Sequence, residues 1–517
     1  MEPSCSCTSV FYSCMLSLPD SDTNTGASEE VHIESGPGSR LRHWVVSNTK
    51  LRLFVQFVLW VSILTLFTET VAAGNGMTLS KQPRDTLAVP RWLYLATGGA
   101  TIGASALLAS FVTDRAFIRY LHNWSLPGPT VDDWWTPIRW IGRSFGIVVL
   151  GLAVYLGLTG PQLPTASFTI LVTFVVVRAG LPMLTYLGGN VWPALNPWRG
   201  IVSLLPAGHR TYPRELARWP AVGGLLLLVW IEVIFPVSTI PSILSLAILG
   251  YSAVTIAGAV LFGPDAWFEN ADPLSVLFRF FGAVAPVKRR DGKLTVKLPG
   301  SDLTDSDLIT DTSDVAFVIA LIWELTYSGF ITTQTGAATT EALVSLSNIG
   351  VGAVQIRAIL IYTLLFVSGY VVFFAAYWYA GVLSRRRTGT YITAKRIAFR
   401  FAPSLLAIAA GYHLAHYTGL AVSLSPALGM AILSPLSPPA NPLTLSPPGW
   451  FEGLSIAYVL IGHLLAIWAA HATAYELFSS RLVAIRSQYP FIGVMIGYTV
   501  ISLWILSLPG ATPPYLP

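Results

Sequence analysis

The chain has 517 residues, of which 53% are hydrophobic and only 11% are charged. A soluble domain carries roughly a quarter charged residues, so this composition excludes an ordinary soluble protein and indicates a membrane protein. Basic loops facing anionic lipid explain the formal net charge of +5 better than nucleic-acid binding does. The three cysteines (Cys5, Cys7 and Cys14) all stand near the N-terminus, which excludes a disulfide framework or a thiolate metal site in the core.

Residues 1–48 are polar and predict a disordered cytoplasmic N-terminal tail, and residues 49–517 predict one polytopic transmembrane domain. Within that domain, apolar runs long enough to cross a hydrocarbon core of roughly 30 Å recur along the chain. We therefore predict an all-α integral membrane protein, a bundle of about 11 transmembrane helices. The runs lie near 52–72, 92–112, 140–159, 166–186, 220–236, 241–263, 314–331, 354–383, 398–424, 453–478 and 489–508.

The distribution of basic residues predicts the orientation of these spans. Most of the 31 Lys and Arg residues fall on alternate loops, those on the same side as the N-terminus. The positive-inside rule then predicts a multi-pass protein of the cell membrane with a cytoplasmic N-terminus and an extracellular C-terminus. The run at 52–72 is either a retained anchor or a cleaved signal peptide, because the small residues of TVAAG follow it.

One cytoplasmic loop, 287–313, is long enough to have structure of its own. Its segment KLTVKL alternates polar and apolar residues and predicts a short strand or a hairpin. The loop is too small to be a catalytic domain. No phosphate-binding loop, nucleophile elbow or dinucleotide fingerprint occurs elsewhere in the chain.

Two junctions on the predicted cytoplasmic side resemble each other. GGNVWPALNPWRG and WFENADPLSVLF each contain an Asn or Asp followed by Pro, which is typical of a helix N-cap and first helical position. Asn196 and Asp272 therefore predict short interfacial helices at 197–205 and 273–285. The helices either pack the floor of the bundle or present positive N-termini to an anion. Their aromatic residues are predicted at headgroup level: Trp192, Trp198, Trp267 and Phe278.

Ionisable residues inside the spans predict a polar path. They nearly always face protein or water, because each is costly in hydrocarbon. Arg143 and Arg178 need partners, and Glu232 and Glu324 are the candidates. The residues predicted to line a path for a substrate or ion are Arg143, Arg178, Glu232, Glu324 and Tyr327. Three further residues lie near span ends and are predicted to reach the interface: Arg357, Arg400 and Glu476.

Four of the eight histidines stand in two consecutive spans: His413, His416, His463 and His471. With a carboxylate, three imidazoles would suit Zn²⁺ or another divalent transition metal, with Glu324 or Glu232 as the catalytic candidate. Imidazoles on facing helices would also suit a haem. The alternatives are a proton relay with one of the glutamates and plain hydrogen bonds between helices.

Several stretches together resemble a family of uncharacterised polytopic membrane proteins from bacteria and archaea. They are GGNVWPALNPWRG, WFENADPLSVLFRFFGAVAPV, YHLAHYTGL, GHLLAIWAAH and SRLVAIRSQYP. Some members carry the label fenitrothion hydrolase, so the resemblance implies hydrolysis of an organophosphate ester by a membrane-bound enzyme. Such chemistry would need a metal-bound water or an acid/base pair, which only His413, His416, His463 and Glu324 would supply.

Two functions follow from these patterns. The first is a permease or transporter for a small solute, ion or metal, which uses an intramembrane layer of His and Glu side chains. The alternative is a membrane-embedded enzyme that depends on a metal or haem, such as a hydrolase, with His413, His416 and His463 as ligands. The expected partners are the lipid bilayer and a small-molecule or ion substrate.

Overall fold

The structure, a computed structural model, describes residues 91–112, 114–290, 292–347, 354–448 and 450–516. The predicted tail at 1–48 and the apolar run at 52–72 lie outside these residues. Helices form most of the described chain, as predicted. In chain order they are α1 (Arg91–Phe111), α2 (Arg115–Asn123), α3 (Asp132–Thr159), α4 (Phe168–Leu187), α5 (Trp192–Leu195), α6 (Pro197–Val202), α7 (Trp219–Ile234), α8 (Pro241–Phe262), α9 (Pro264–Asn270), α10 (Pro273–Val284), α11 (Thr312–Ile331), α12 (Gln334–Leu346), α13 (Val354–Thr388), α14 (Ala394–Phe401), α15 (Ser404–Leu433), α16 (Phe451–Leu477) and α17 (Arg481–Leu506).

Within the described residues, 8 helical segments are long and apolar enough to cross a membrane, so the protein is membrane-embedded. They are α3, α4, α8, α11, α13, the continuous pair α14–α15, α16 and α17. The apolar run predicted at 92–112 forms α1, and the run at 220–236 forms α7, which has only 16 residues. Helix α7 ends at Ile234 because Pro236 favours an extended Phe235, whose φ is −102° and ψ 149°.

Helices α11 and α15 form the centre of the bundle. The most apolar window of α11 is 89% buried and that of α14–α15 is 83% buried, against 17% to 50% for the other spans. Helix α11 begins at a capping box, in which Asp311 and Asp314 bond each other's backbone N–H groups. A polar side chain on α11 is therefore surrounded by protein and must find its partner there.

Helices α15 and α16 touch at the backbone. A Cβ atom added to Gly411 would lie 2.7 Å from the carbonyl oxygen of Tyr458, and one added to Gly462 would lie 2.7 Å from that of Ala407. Small residues let membrane helices approach this closely. The crossing fixes how the two histidine-bearing helices are rotated relative to each other.

A small antiparallel sheet lies at one end of the bundle, outside the predicted helices. Its strands β1 (Ser125–Thr130), β2 (Val287–Arg290) and β3 (Lys293–Lys297) have the order β1-β3-β2. The strand predicted in KLTVKL is β3, which pairs with β2 as a hairpin. The third strand comes from the loop between α2 and α3, so two loops predicted to be cytoplasmic lie at the same end of the molecule.

Segments predicted to be extracellular meet at the opposite end. The backbone N–H of Gln334 donates to the carbonyl of Pro509 at 2.8 Å, and Thr333 forms an isolated bridge with Gly510. Helix α11 has 20 residues and is therefore about 30 Å long, and it runs from the side of the sheet to this contact. The segment after α11 and the C-terminal segment, both predicted to be extracellular, therefore contact each other.

The two predicted caps form. The side chain of Asn196 accepts from the Arg199 N–H at 2.9 Å and begins α6. That of Asp272 accepts from the Ser275 N–H at 2.8 Å and begins α10. The helices end at Val202 and Val284, slightly before the predicted 205 and 285.

Three aromatic residues at these junctions are buried in protein: Trp192, Trp198 and Phe278 are 5%, 6% and 1% exposed. Aromatic rings of the two junctions pack against each other, since the rings of Trp192 and Phe278 stack with their centroids 4.6 Å apart. The Ser275 hydroxyl accepts from the Trp192 indole at 3.1 Å and from the Asn196 amide at 3.2 Å. The two similar junctions therefore pack together into one hydrogen-bonded unit.

Candidate functional site

A buried arginine lies where three helices meet. Arg178 belongs to a π-helical stretch of α4, Leu171–Gly180, and its side chain is 16% exposed. π-helical turns are rare and are frequently found at functional sites. Pro182 stands four residues after Arg178 and has no N–H to offer the Arg178 carbonyl.

Two carboxylates from different helices face the Arg178 guanidinium. Glu324 of α11 pairs with it through both oxygens, with Nη1 3.2 Å from Oε1 and Nη2 in close contact with Oε2. Glu232 of α7 makes one contact, 3.3 Å from its Oε2 to Nε. The Glu324 side chain is 2% exposed and that of Glu232 is 28% exposed. Both glutamates that the sequence offered as partners thus pair with Arg178, and they hold α4, α7 and α11 together.

His413 supports the backbone of this centre. Its Nε2 donates to the Arg178 carbonyl at 2.9 Å, in place of the N–H that Pro182 lacks. Its Nδ1 lies 3.2 Å from the Tyr186 hydroxyl, which donates to it. A carbonyl can only accept, so Nε2 carries the hydrogen and Nδ1 accepts in the neutral ring. His413 is 1% exposed and lies among the rings of Tyr186, Phe281 and Tyr417.

An aromatic ring covers the charged group. The Arg178 guanidinium lies 5.2 Å from the ring centroid of Tyr417, which stands one helical turn after His413 on α15. A cation over an aromatic face is attracted by the ring quadrupole, and more strongly so where water is excluded. The cluster of Arg178, Glu232, Glu324, His413 and Tyr417, here called the Arg178 centre, therefore combines charge, hydrogen bonds and a low-dielectric surrounding.

Two residues predicted for the same path lie elsewhere. The Arg143 guanidinium donates to the Pro193 carbonyl at 3.3 Å, on the side of α3 that packs against α5 and α6. The Tyr327 hydroxyl donates to the Tyr362 carbonyl at 2.8 Å, between α11 and α13. Tyr327 follows Glu324 by three residues, but the two side chains bond different helices. The predicted polar stripe of α11 is therefore divided between a charged contact and a packing contact.

The four histidines do not form one layer. The His463 Nδ1 donates to the Val459 carbonyl at 2.7 Å, and its Nε2 contacts the Thr499 hydroxyl of α17. His471 bonds the Val112 carbonyl at 2.8 Å through Nε2 and the Gln488 side chain at 3.2 Å through Nδ1. His413 faces α4, whereas His463 and His471 face α17 and the end of α1.

These contacts also decide the fit to a metal or a haem. Among the residues that the structure describes, no three His, Cys, Asp or Glu side chains come together as a possible metal site. Both ring nitrogens of His413, His463 and His471 already lie within hydrogen-bond distance of protein groups. The described residues therefore do not fit the predicted three-histidine site or a bis-histidine haem.

His416 lies on another side of α15, at a small cavity. The cavity has a volume of about 30 Å³ and is lined by Tyr412, Ala415 and His416 together with residues of α11, α16 and α17. The His416 ring also contacts Tyr417 edge-on at 4.8 Å. The His416 ring therefore lies between the cavity and Tyr417 of the Arg178 centre.

The predicted anion site at the helix caps is closed by the caps themselves. Asn196 is 1% exposed and Asp272 is fully buried, and each side chain occupies the N–H groups of its own helix. The Tyr251 hydroxyl donates to the second oxygen of Asp272. A buried carboxylate at this position would repel an anion, so the caps stabilise the junction instead.

Two residues predicted near the span ends contact each other. The Arg400 guanidinium lies 2.8 Å from the Glu476 carboxylate. The contact joins α14 to α16, and the Glu476 side chain is 42% exposed. This pair offers a peripheral counterpart to the buried ion pairs of Arg178.

Comparisons with models of known protein families, with curated proteins and with solved structures find no match for this chain. The resemblance to the family that includes fenitrothion hydrolases therefore stays a prediction.

Sequence reasoning missed Tyr186, Tyr417 and Pro182. The signals were present: Pro182 follows Arg178 by four residues, the interval of the α-helical hydrogen bond, and Tyr417 follows His413 by four residues. Both patterns gain meaning only once α4 and α15 are known to be neighbours.

Proposed function

We propose that this chain is a multi-pass transport protein, a permease for a small solute or an ion, and that the Arg178 centre is its binding and coupling site. The observation that carries the proposal is one buried guanidinium that faces two carboxylates from two other helices. Ionisable residues at such depth generally mark substrate, ion or proton pathways, because a purely structural role is better filled by apolar side chains.

The charge of the centre supports a cationic substrate or coupling ion. With both glutamates ionised, the described ion pairs bring two negative charges against one positive charge. An uncompensated charge in a low-dielectric interior is costly, so the site gains free energy when it binds a proton, a metal cation or an ammonium group. Loss of that cation changes the attraction between α4, α7 and α11 and gives a physical basis for coupling binding to helix movement.

The local backbone supports movement at the same place. The π-helical turns and Pro182 interrupt the regular ladder of α4 beside Arg178. Interrupted helices at the membrane midplane are a recurring feature of transporter binding sites. The alternative, a hydrolase or haem enzyme with His413, His416 and His463 as ligands, gains no support from the separate surroundings of the described imidazoles.

For the orientation, we propose a cytoplasmic N-terminus and an extracellular C-terminus in the cell membrane, with α6 and α10 on the cytoplasmic side. The support is the basic character of the sheet, whose strands β2 and β3 carry Lys288, Arg289, Lys293 and Lys297. Basic residues near span ends are retained on the cytoplasmic side.

The test is electrical recording from proteoliposomes adsorbed on a solid support, with rapid changes to solutions of single cations and small solutes. We expect at least one solute to evoke a transient current in the wild type, and Glu324→Gln to abolish it. Glu476→Gln is the matched control, since it removes the peripheral ion pair with Arg400 and should leave the current intact. Equal currents in wild type and Glu324→Gln, or none for any solute, would contradict the proposal.

A further inference from the structure

We infer that Glu232 is the group of the Arg178 centre that binds and releases a proton, while Glu324 stays ionised as the permanent partner of Arg178. The inference rests on the proposed function and names the coupling ion of the same site. It follows from the unequal geometry of the two carboxylates.

The contacts of Glu324 favour its charged form. Both of its oxygens meet the Arg178 guanidinium, and its side chain is 2% exposed. A bidentate, charge-assisted pair between carboxylate and guanidinium is among the strongest polar contacts in proteins, and protonation would remove one of its two acceptors. A proton on Glu324 would therefore cost more than a proton on Glu232, which makes one ion-pair contact and no hydrogen bond with Arg178.

The contacts of Glu232 leave room for a proton. Its Oε2 lies 3.3 Å from Nε of Arg178, and its side chain is 28% exposed. When Glu232 is protonated, the hydrogen resides on Oε1, and Oε2 keeps its 3.3 Å approach to Nε without a hydrogen bond to it. The centre then holds one carboxylate and one guanidinium, so its net charge is zero.

The other groups around the centre do not replace this proton. From α15, the Tyr417 phenol covers the guanidinium and the neutral His413 is engaged at both ring nitrogens. From α4, the Tyr186 hydroxyl donates to His413. From α13, Thr363 receives the indole N–H of Trp230, the neighbour of Glu232 on α7. The described ion pairs of Glu232 and Glu324 are both with Arg178.

The proton balance is simple. Release converts the Glu232 carboxylic acid to a carboxylate and transfers one proton to a water molecule. The centre then carries one excess negative charge, and both carboxylates share the attraction of a single guanidinium. Binding of a proton reverses both changes, and no other reactant is needed.

The experiment is infrared difference spectroscopy of the full-length protein in lipid, recorded while the pH of the perfusing buffer is changed. We expect the wild type to lose a carboxylic acid carbonyl band as the pH rises, and Glu232→Gln to lack that band. Glu324→Gln should retain the band only at lower pH, because Glu232 is then the one described carboxylate that faces Arg178. Glu476→Gln should match the wild type, and Asp272→Asn identifies any separate band from that buried carboxyl group.

An unchanged pH-dependent band in Glu232→Gln, or its loss in Glu324→Gln but not in Glu232→Gln, would overturn the assignment. So would the absence of any such band in the wild type while solute-evoked currents persist, which would leave the transport proposal standing. If the band depends on Glu232 but the protein gives no solute-evoked current, the proton site is supported and only the transport proposal is contradicted. Glu232→Asp, which keeps the carboxyl group, should restore a shifted band in a folded protein.

Discussion

At the scale of single residues, the centre depends on Arg178 having two anionic partners in a buried place. Breaking a buried ion pair by removing one member costs about 3–5 kcal/mol, because the remaining charge is left uncompensated. Arg178→Met leaves two carboxylates without their described partner. We therefore expect it to lower the thermal unfolding temperature of the purified protein strongly.

The control for this prediction is Arg400→Met, which breaks the pair with the half-exposed Glu476 and should cost about 1 kcal/mol or less. Combining Arg178→Met with Glu232→Gln and Glu324→Gln should recover part of the lost stability, because carboxamides need no counter-charge. Equal melting temperatures for Arg178→Met and Arg400→Met would contradict the buried ion-pair description.

His413 offers a second test at the residue scale. Its bond to the Arg178 carbonyl replaces the N–H that Pro182 lacks, so His413→Phe leaves a buried carbonyl without its donor, at about 1–3 kcal/mol. In a Pro182→Ala background the backbone has an N–H at that position, and the same substitution should cost less. A double-mutant cycle on unfolding in denaturant measures the difference. Identical losses in both backgrounds would show that the bond does not depend on the missing N–H.

At the scale of helices, the crossing of α15 and α16 determines where the histidines point. Gly411→Ala would place its Cβ 2.7 Å from the Tyr458 carbonyl oxygen, which is backbone and cannot rotate away. We expect a loss of about 1–3 kcal/mol, because overpacking forces the helices apart. Unfolding midpoints of the purified variants measure it.

Each helix supplies its own control for that prediction. Gly429 of α15 and Gly453 of α16 have no atom within 4 Å of an added Cβ. Alanine at either position should be neutral or should stabilise by up to about 1 kcal/mol through its better helix propensity. A loss at Gly429 as large as that at Gly411 would mean that close approach is not what the glycine provides.

The partners of the buried charges could be predicted from the sequence in part. The positions of the histidines could not, because they depend on the crossing of α15 and α16. Charges inside spans require partners, so Glu232 and Glu324 could be named as candidates for Arg143 and Arg178 from the sequence, but not which arginine they would meet. The predicted histidine layer rested on depth, which counting residues along a span gives to within about one turn. The depth of a residue along a span does not tell in which direction around the helix axis its side chain points. His413 and His463 diverge because the rotation set by Gly411 and Gly462 directs one ring to α4 and the other to α17.

At the scale of the whole molecule, apolar length predicted the 8 spans that the described residues form, and two further features have local causes. Pro236 ends α7 at 16 residues, and a strand from the loop after α2 joins the hairpin of 287–297 across a long stretch of sequence. Pairing between distant loops leaves no periodic signal in either segment alone. The helical class was therefore predictable, and the sheet was predictable only as a hairpin.

The orientation gives a prediction for the whole chain. After Cys5, Cys7 and Cys14 are replaced by Ser, single cysteines at Glu341 of α12 and Lys293 of β3 report the two ends, since both residues are exposed. We expect a membrane-impermeant maleimide to label Glu341→Cys in intact cells and Lys293→Cys only after permeabilisation. The reverse pattern would invert the proposed topology.

The most direct measurement of the central claim is the charge displaced when proteoliposomes on a solid support meet a sudden change of pH with no other solute present. The wild type should give a transient current from proton binding at the Arg178 centre, Glu476→Gln should give the same current, and Glu232→Gln should give none. A current of wild-type size in Glu232→Gln would contradict the account, as would a wild-type trace that matches protein-free vesicles.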